Sequence, residues 1–354
     1  MHWLEIKLAL VVIFAVMYYF IIRRFIYIFH GILSKWIVAW LAITIWVVCM
    51  LTFIYNWENK ILDIMWTLAS WLFVFWFLLF LILLIELWVS TWYSISPWII
   101  VFVIIIFFWL WAFFSLHTKI TSLDIQSDKI QKDVKILLIS DIHVDNIFSK
   151  YHLSTIQKKI MEEQPDLVLI AWDMLNKPNI QYIEYYKWFW YKENIPIIAV
   201  VWNHDVMWDN NIVYNISKTS NIQILKNQSI TIGWIQIIWL NDKSQQDSSF
   251  SLEDIISSSN IVFGDKSFNI LLTHQPIWLE KLDNYPIDLE VAWHTHNGQF
   301  FWLRKFVATV NDYWYGKYEH NNKLAFVTQW IWTRWLPFRL WTQSEIVLIN
   351  IKKK

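Results

Sequence analysis

From residue 1 to about 116 the chain is almost continuously apolar. Four stretches, roughly 6–28, 34–55, 64–90 and 97–116, each come near the ~20 residues that a bilayer-crossing helix needs. Polar residues collect in the breaks: Arg23 and Arg24, then Asn56-Trp57-Glu58-Asn59-Lys60, then Ser94-Ile95-Ser96-Pro97. This pattern predicts an N-terminal all-α transmembrane bundle of about four helices over residues 1–116. No paired charged residues mark a transport pathway in the spans, and Glu86 lies near the end of one. Arg23, Arg24 and Lys35 load the first connection, which places it on the cytoplasmic side and both termini outside. Lys119, Lys129, Lys132 and Lys135 follow the last span and pull the other way. The expected location is the cell membrane, with the second half of the chain outside.

The pattern then changes. Residues 117–133 read as a polar linker, and from Val134 onward short apolar runs alternate with amphipathic stretches. Lys135–Ser140 reads as a buried strand, His152–Glu163 as a helix and Asp166–Ala171 as the next strand. Ile195–Val201 is a third strand, and Ser229–Leu240 alternates like a hairpin. Phe268–Thr273, Ile287–Ala292, Leu324–Thr328 and Ile346–Ile351 complete a sheet-rich α/β domain over 134–354.

Composition sharpens the picture at one point. The chain has 28 Trp and only 5 Gly, where an average chain of this length carries about 25 Gly. The formal net charge is zero, so nothing points to a nucleic-acid partner. Cys49 is the only cysteine, which excludes an intrachain disulfide and a cysteine-based metal site.

The candidate chemistry lies at the ends of the expected strands. Asp141 and His143 follow the first, Asp173 the second, and Asn203, His204 and Asp205 the third; His274, His294 and His296 follow later ones. Open α/β sheets place their sites at such strand ends. Asp, His and a neutral Asn oxygen suit Mn, Fe or Zn. Any one pair is weak; the ordered set is specific.

The set resembles the calcineurin-like metallophosphoesterase superfamily, whose pattern runs D-x-H, GD, GNHD, H-x-P and GHTH. Here stand Asp141-Ile142-His143, Trp172-Asp173, Trp202-Asn203-His204-Asp205, His274-Gln275-Pro276 and Trp293-His294-Thr295-His296. Every ligand position is kept, and only glycines depart. Asn297-Gly298-Gln299 resembles the GGQ of a membrane-associated bacterial branch, and Gln329 to Arg339 resembles its closing G-x-G-x-x-x-x-P-x-R segment, with Trp330 and Trp332 in the glycine slots. The resemblance implies a two-sheet β-sandwich flanked by helices. It implies two divalent ions, one held by Asp141, His143, Asp173 and His296, the other by Asp173, Asn203, His274 and His294. His204 would act at the leaving-group oxygen with Asp205 orienting it. The activity implied is hydrolysis of a phosphoester or pyrophosphate bond, and the apolar half suggests a lipid-linked or envelope substrate, as in UDP-diacylglucosamine pyrophosphatase-like enzymes.

Glycine is used where the backbone takes positive φ or approaches a ligand closely, and Trp fits neither need. Two explanations are open. The gene reads UGA as glycine and the translation wrote tryptophan; or the protein is a non-enzymatic membrane protein with a decayed phosphoesterase-like binding domain.

Overall fold

The computed structural model describes residues 19–24, 26–28, 79–93, 96–140, 149–171, 195–200, 222–225, 228–240, 261–293, 312–329 and 342–354, together with 16, 142, 218, 253, 256, 305, 307–309 and 331. It divides into two compact units, one built on Met1–Phe113 and the other on Phe114–Thr333 with Arg339–Lys354.

In the first unit the described residues are helical at 19–24, 26–28 and 79–89. Helix α1 spans Pro97–Leu116 and carries no charged residue. Ile21, Leu79, Leu83 and Ile100 form a small buried cluster, and Phe20 meets Phe80 edge-on at 5.4 Å. A group of polar contacts accompanies them. Arg24 donates through Nε to Glu86 Oε2 at 2.7 Å and through Nη2 to Glu86 Oε1 at 2.8 Å and to Ser90 Oγ at 2.9 Å. This corrects the sequence expectation that no charges pair here. The reason is physical: either group alone among apolar side chains would cost several kcal/mol, and the two-pronged geometry satisfies both. Among the described residues no helix is long and apolar enough to cross a membrane. Of the four expected spans, 97–116 coincides with helix α1, 6–28 and 64–90 are helical where they are described, and 34–55 lies wholly outside the described residues.

The second unit is a sandwich of two six-stranded sheets. The strands are β1 (Thr118–Ser127), β2 (Val134–Ser140), β3 (Leu167–Ala171), β4 (Ile197–Val200), β5 (Ile222–Leu225), β6 (Ser229–Ile232), β7 (Ile235–Trp239), β8 (Phe268–Leu272), β9 (Leu289–Ala292), β10 (Gly316–His320), β11 (Lys323–Val327) and β12 (Ser344–Lys353). One sheet runs β1-β12-β2-β3-β4-β5 and the other β10-β11-β9-β8-β7-β6. Strands β2 to β5 are parallel neighbours, as are β7, β8, β9 and β11.

Side-chain alternation decides which residues meet. Ile136 and Leu138 of β2, Leu167 and Leu169 of β3, and Ile198 and Val200 of β4 turn inward. From the other sheet Ile235 and Ile237, Ile270 and Leu272, and Leu289 and Val291 join them in one core. The opposite face of the first sheet offers Leu137, Ile139, Val168 and Ile170 to helix α2 (Ser149–Glu163), which presents Leu153, Ile156 and Ile160 at helical spacing. A short 3-10 turn, Leu279–Leu282, caps Ile238 and Leu271 on the outer face of the second sheet. Both faces of the parallel strands are thus covered, which is why these segments read as unbroken apolar runs. The expected two-sheet sandwich with flanking helices is what forms.

Two differences from the sequence reading stand out. Residues 117–133 were expected as a linker, yet they hold β1, paired in parallel with β12 from Thr118↔Ser344 to Ser127↔Lys353. Leu123, Ile125 and Ser127 are buried and alternate with exposed Asp124 and Gln126, a strand pattern diluted by polar residues. β5 and β10 were not foreseen; both are short edge strands. The β6–β7 hairpin forms as expected, turning at Gly233 with φ +59°, a conformation that glycine adopts without steric cost.

Candidate functional site

Register sets the site. In the first sheet Ser140 lies beside Ala171, and Ala171 beside Val200. Three parallel strands therefore end level, and the next residues in the chain are Asp141, Trp172-Asp173 and, after Val201, Trp202-Asn203-His204-Asp205. In the second sheet Leu272 lies beside Val291, and Ala292 beside Val327. These strands lead into Thr273-His274 and Trp293-His294-Thr295-His296. The two ends are bridged where the Ile331 amide donates to the Ser140 carbonyl at 3.2 Å. All the motif segments thus leave the sandwich from strand ends that the sheets hold in line.

Of the expected ligands, His274 lies among the described residues. It is buried at 5% exposure, and the Trp293 amide donates to its carbonyl at 3.3 Å. Its ring meets the Trp293 indole edge-on, centroids 6.2 Å apart. Asp141, His143, Asp173, Asn203, His204, Asp205, His294 and His296 lie outside the described residues, as do Trp172, Trp202, Trp330 and Trp332. The donor chemistry of the set, imidazole nitrogen with carboxylate and amide oxygen, fits Mn, Fe or Zn.

Trp293 carries information about the glycine question. Its φ is not left-handed, so this backbone position does not itself demand glycine. Alternation puts Trp293 on the same face as Leu289 and Val291, and the indole is fully buried in the inter-sheet core. There it stacks on Trp239 with centroids 6.4 Å apart and an interplanar angle of 17°.

The structure adds a residue the sequence reading passed over. Glu290, in the middle of β9, is completely buried on the outer face of the second sheet. Its Oε1 accepts from the Thr273 hydroxyl at 2.8 Å and from the Ile277 amide at 2.6 Å. It therefore grips both ends of the segment that carries His274-Gln275-Pro276. Burial pushes its carboxyl up to about 8, against the pull of the two hydrogen bonds. Its Oε2 has no hydrogen-bond partner among the described residues. The signal was present in the sequence: a lone acid inside the apolar run Leu289-Glu290-Val291-Ala292 needs a local reason.

Residues 134–325, more than half of the chain, match the calcineurin-like phosphoesterase family. Three curated relatives are similar, and each is itself described as an uncharacterized metallophosphoesterase. The one from Campylobacter jejuni is 28% identical over 241 residues, 67% of this chain and 64% of its own. One from Helicobacter pylori is 26% identical over 246 residues, with the same coverage of 67% and 64%. One from Bacillus subtilis is 26% identical over 234 residues, 62% of this chain and 79% of its own. The chain thus spans 64% of the length of the first two relatives. With the family's motif order falling on level strand ends of a two-sheet sandwich, the chain belongs to the calcineurin-like phosphoesterase family.

Proposed function

We propose that the protein is a membrane-attached, dimetal phosphoesterase that hydrolyses a phosphoester or pyrophosphate bond in a lipid-linked or envelope substrate. The observation that carries the reading is the level ending of β2, β3 and β4, and of β8 and β9, each directly before a motif of the family. Asp141, His143, Asp173 and His296 would hold one cation, and Asp173, Asn203, His274 and His294 the other. Two such cations, when bound, supply Lewis acidity that lowers the pKa of a shared water and stabilises phosphoryl oxygens. The chain's own part is to fix those donors on rigid strand ends, to present His204 to the leaving-group oxygen as acid or electrostatic stabiliser, and to orient His204 through Asp205. Membrane attachment is supported by α1, which carries no charge and leaves Trp98, Phe102, Ile105 and Trp109 exposed. Side chains of that kind favour an apolar or interfacial surrounding. By the arginine and lysine distribution the phosphoesterase domain faces outward.

We also read the motif tryptophans 172, 202, 293, 330 and 332 as glycine in the source organism, because all five fall on glycine positions of the family pattern. UGG codons at these positions would end that reading.

The test uses the full chain in detergent, stripped of metal, with bis(p-nitrophenyl) phosphate as substrate and Mn²⁺ added back. Two forms are compared: the chain as written, and one with glycine at the five positions. Mn²⁺-dependent turnover that disappears in His143→Ala supports the enzyme, and turnover confined to the glycine form supports the recoding. If neither form binds Mn²⁺ or turns over, the domain is a binding module.

A further inference from the structure

We propose that Glu345 is a positioning residue for the site, the anchor of the segment that ties the ligand-bearing ends of the two sheets together. The inference rests on the phosphoesterase reading above.

Glu345 stands at the start of β12 and is 1% exposed. Its carboxylate gathers four donors. Oε1 accepts from the hydroxyls of Thr121 in β1, at 2.5 Å, and Tyr315, just before β10, at 3.0 Å. Oε2 accepts from the Thr328 hydroxyl at 2.9 Å and from the Gln329 amide at 3.0 Å. A carboxylate accepts only, so it can take all four at once. Bonds to an ionised acceptor are roughly twice as strong as neutral ones.

The residues it holds lead straight to the motifs. Thr328, fixed through its hydroxyl, donates its own amide to the Ala292 carbonyl at 2.9 Å. Ala292 ends β9, immediately before Trp293 and His294. Two residues beyond Gln329, the Ile331 amide donates to the Ser140 carbonyl at 3.2 Å. Ser140 ends β2, immediately before Asp141. Thr328, Gln329 and Ile331 thus form a strap from the end of β9 to the end of β2, and Glu345 grips the first two of them. The expected ligands Asp141 and His294 follow strands of different sheets in the chain, β2 and β9, and on this proposal the strap sets the spacing of the two strand ends that lead to them. A misplacement of about 1 Å far from the chemistry can cost about 100-fold in rate.

Glu345→Gln tests this. The amide keeps the size of the side chain but turns a donor toward donors, and the Gln329 amide cannot rotate away. In the full, metal-stripped chain, hydrogen exchange at the amides of Gln329 and Ile331 should speed up while β3 and β8 keep their protection. Mn²⁺ affinity, by calorimetric titration, should fall about tenfold, the lower end of losses seen for outer partners of metal ligands. Excess Mn²⁺ should restore much of the turnover, which it would not do for an unfolded chain. Thr328→Val, which leaves Glu345 in place and removes one of its four donors, should shift exchange and affinity in the same direction by less. Unchanged exchange and affinity in both variants overturn the proposal. Exchange that quickens throughout the domain also overturns it, since Glu345 would then be a general stabiliser. If, with Glu345 intact, neither the chain as written nor the form with glycine at 172, 202, 293, 330 and 332 takes up Mn²⁺, the phosphoesterase reading fails, while the exchange data still show whether Glu345 holds the strap.

Discussion

Glu290→Gln should remove a pH dependence from the stability of the phosphoesterase domain. The carboxyl is completely buried and pushed up to about 8, whereas an unfolded chain leaves it near its ordinary value of 4.5. Below pH 4.5 both states are protonated and the group costs nothing. Between 4.5 and about 8 the unfolded chain ionises Glu290 and the folded one resists, so stability falls as pH rises. Each pH unit in this window costs about 1.4 kcal/mol. The window spans 8 − 4.5 = 3.5 units, so the full effect is on the order of 5 kcal/mol. That is large against the 5–15 kcal/mol by which domains are ordinarily stable. The glutamine amide cannot ionise, and its oxygen can keep both bonds that Oε1 accepts from Thr273 and Ile277. Urea unfolding of the metal-stripped full chain in detergent, followed by circular dichroism from pH 5 to 8, measures the difference. The variant should be close to the parent at pH 5 and more stable by several kcal/mol at pH 8. Parallel stability curves for the two proteins would refute the reasoning, because they would mean that the folded domain does not hold Glu290 protonated.

His274→Ala should leave the sandwich folded yet reduce the bound metal per chain, read by elemental analysis after Mn²⁺ loading. Turnover should drop by about 100-fold or more if the ligand position is lost. In the first unit, Arg24→Met strands a buried Glu86 carboxylate and should cost about 3–5 kcal/mol. Arg24→Met with Glu86→Leu should recover most of that loss; equal thermal unfolding of the single and double variants would show that the pair is not buried as described.

The sequence by itself determined what is local. Unbroken apolar runs of four to seven residues are strands buried on both faces, and each expected run from Lys135 to Ile351 has a strand in it. Polar motif residues stand directly after those runs, which is where a site is expected, because parallel strands covered on both faces expose only their ends. Of the candidate ligands placed in this way, His274 is the one among the described residues. What the tertiary structure decided depends on distant partners. β1 is polar enough to read as a linker and becomes a strand because β12, more than 200 residues later, offers it a full ladder. Arg24 and Glu86 lie 62 residues apart and pair only when their helices meet. Glu290 and Glu345 look like misplaced charges until the fold brings donors to them, Thr273 and Ile277 for one, Thr121, Tyr315, Thr328 and Gln329 for the other. A buried carboxylate is tolerated only with such partners or with its proton, and neither can be counted along a chain before the sheets have closed on each other.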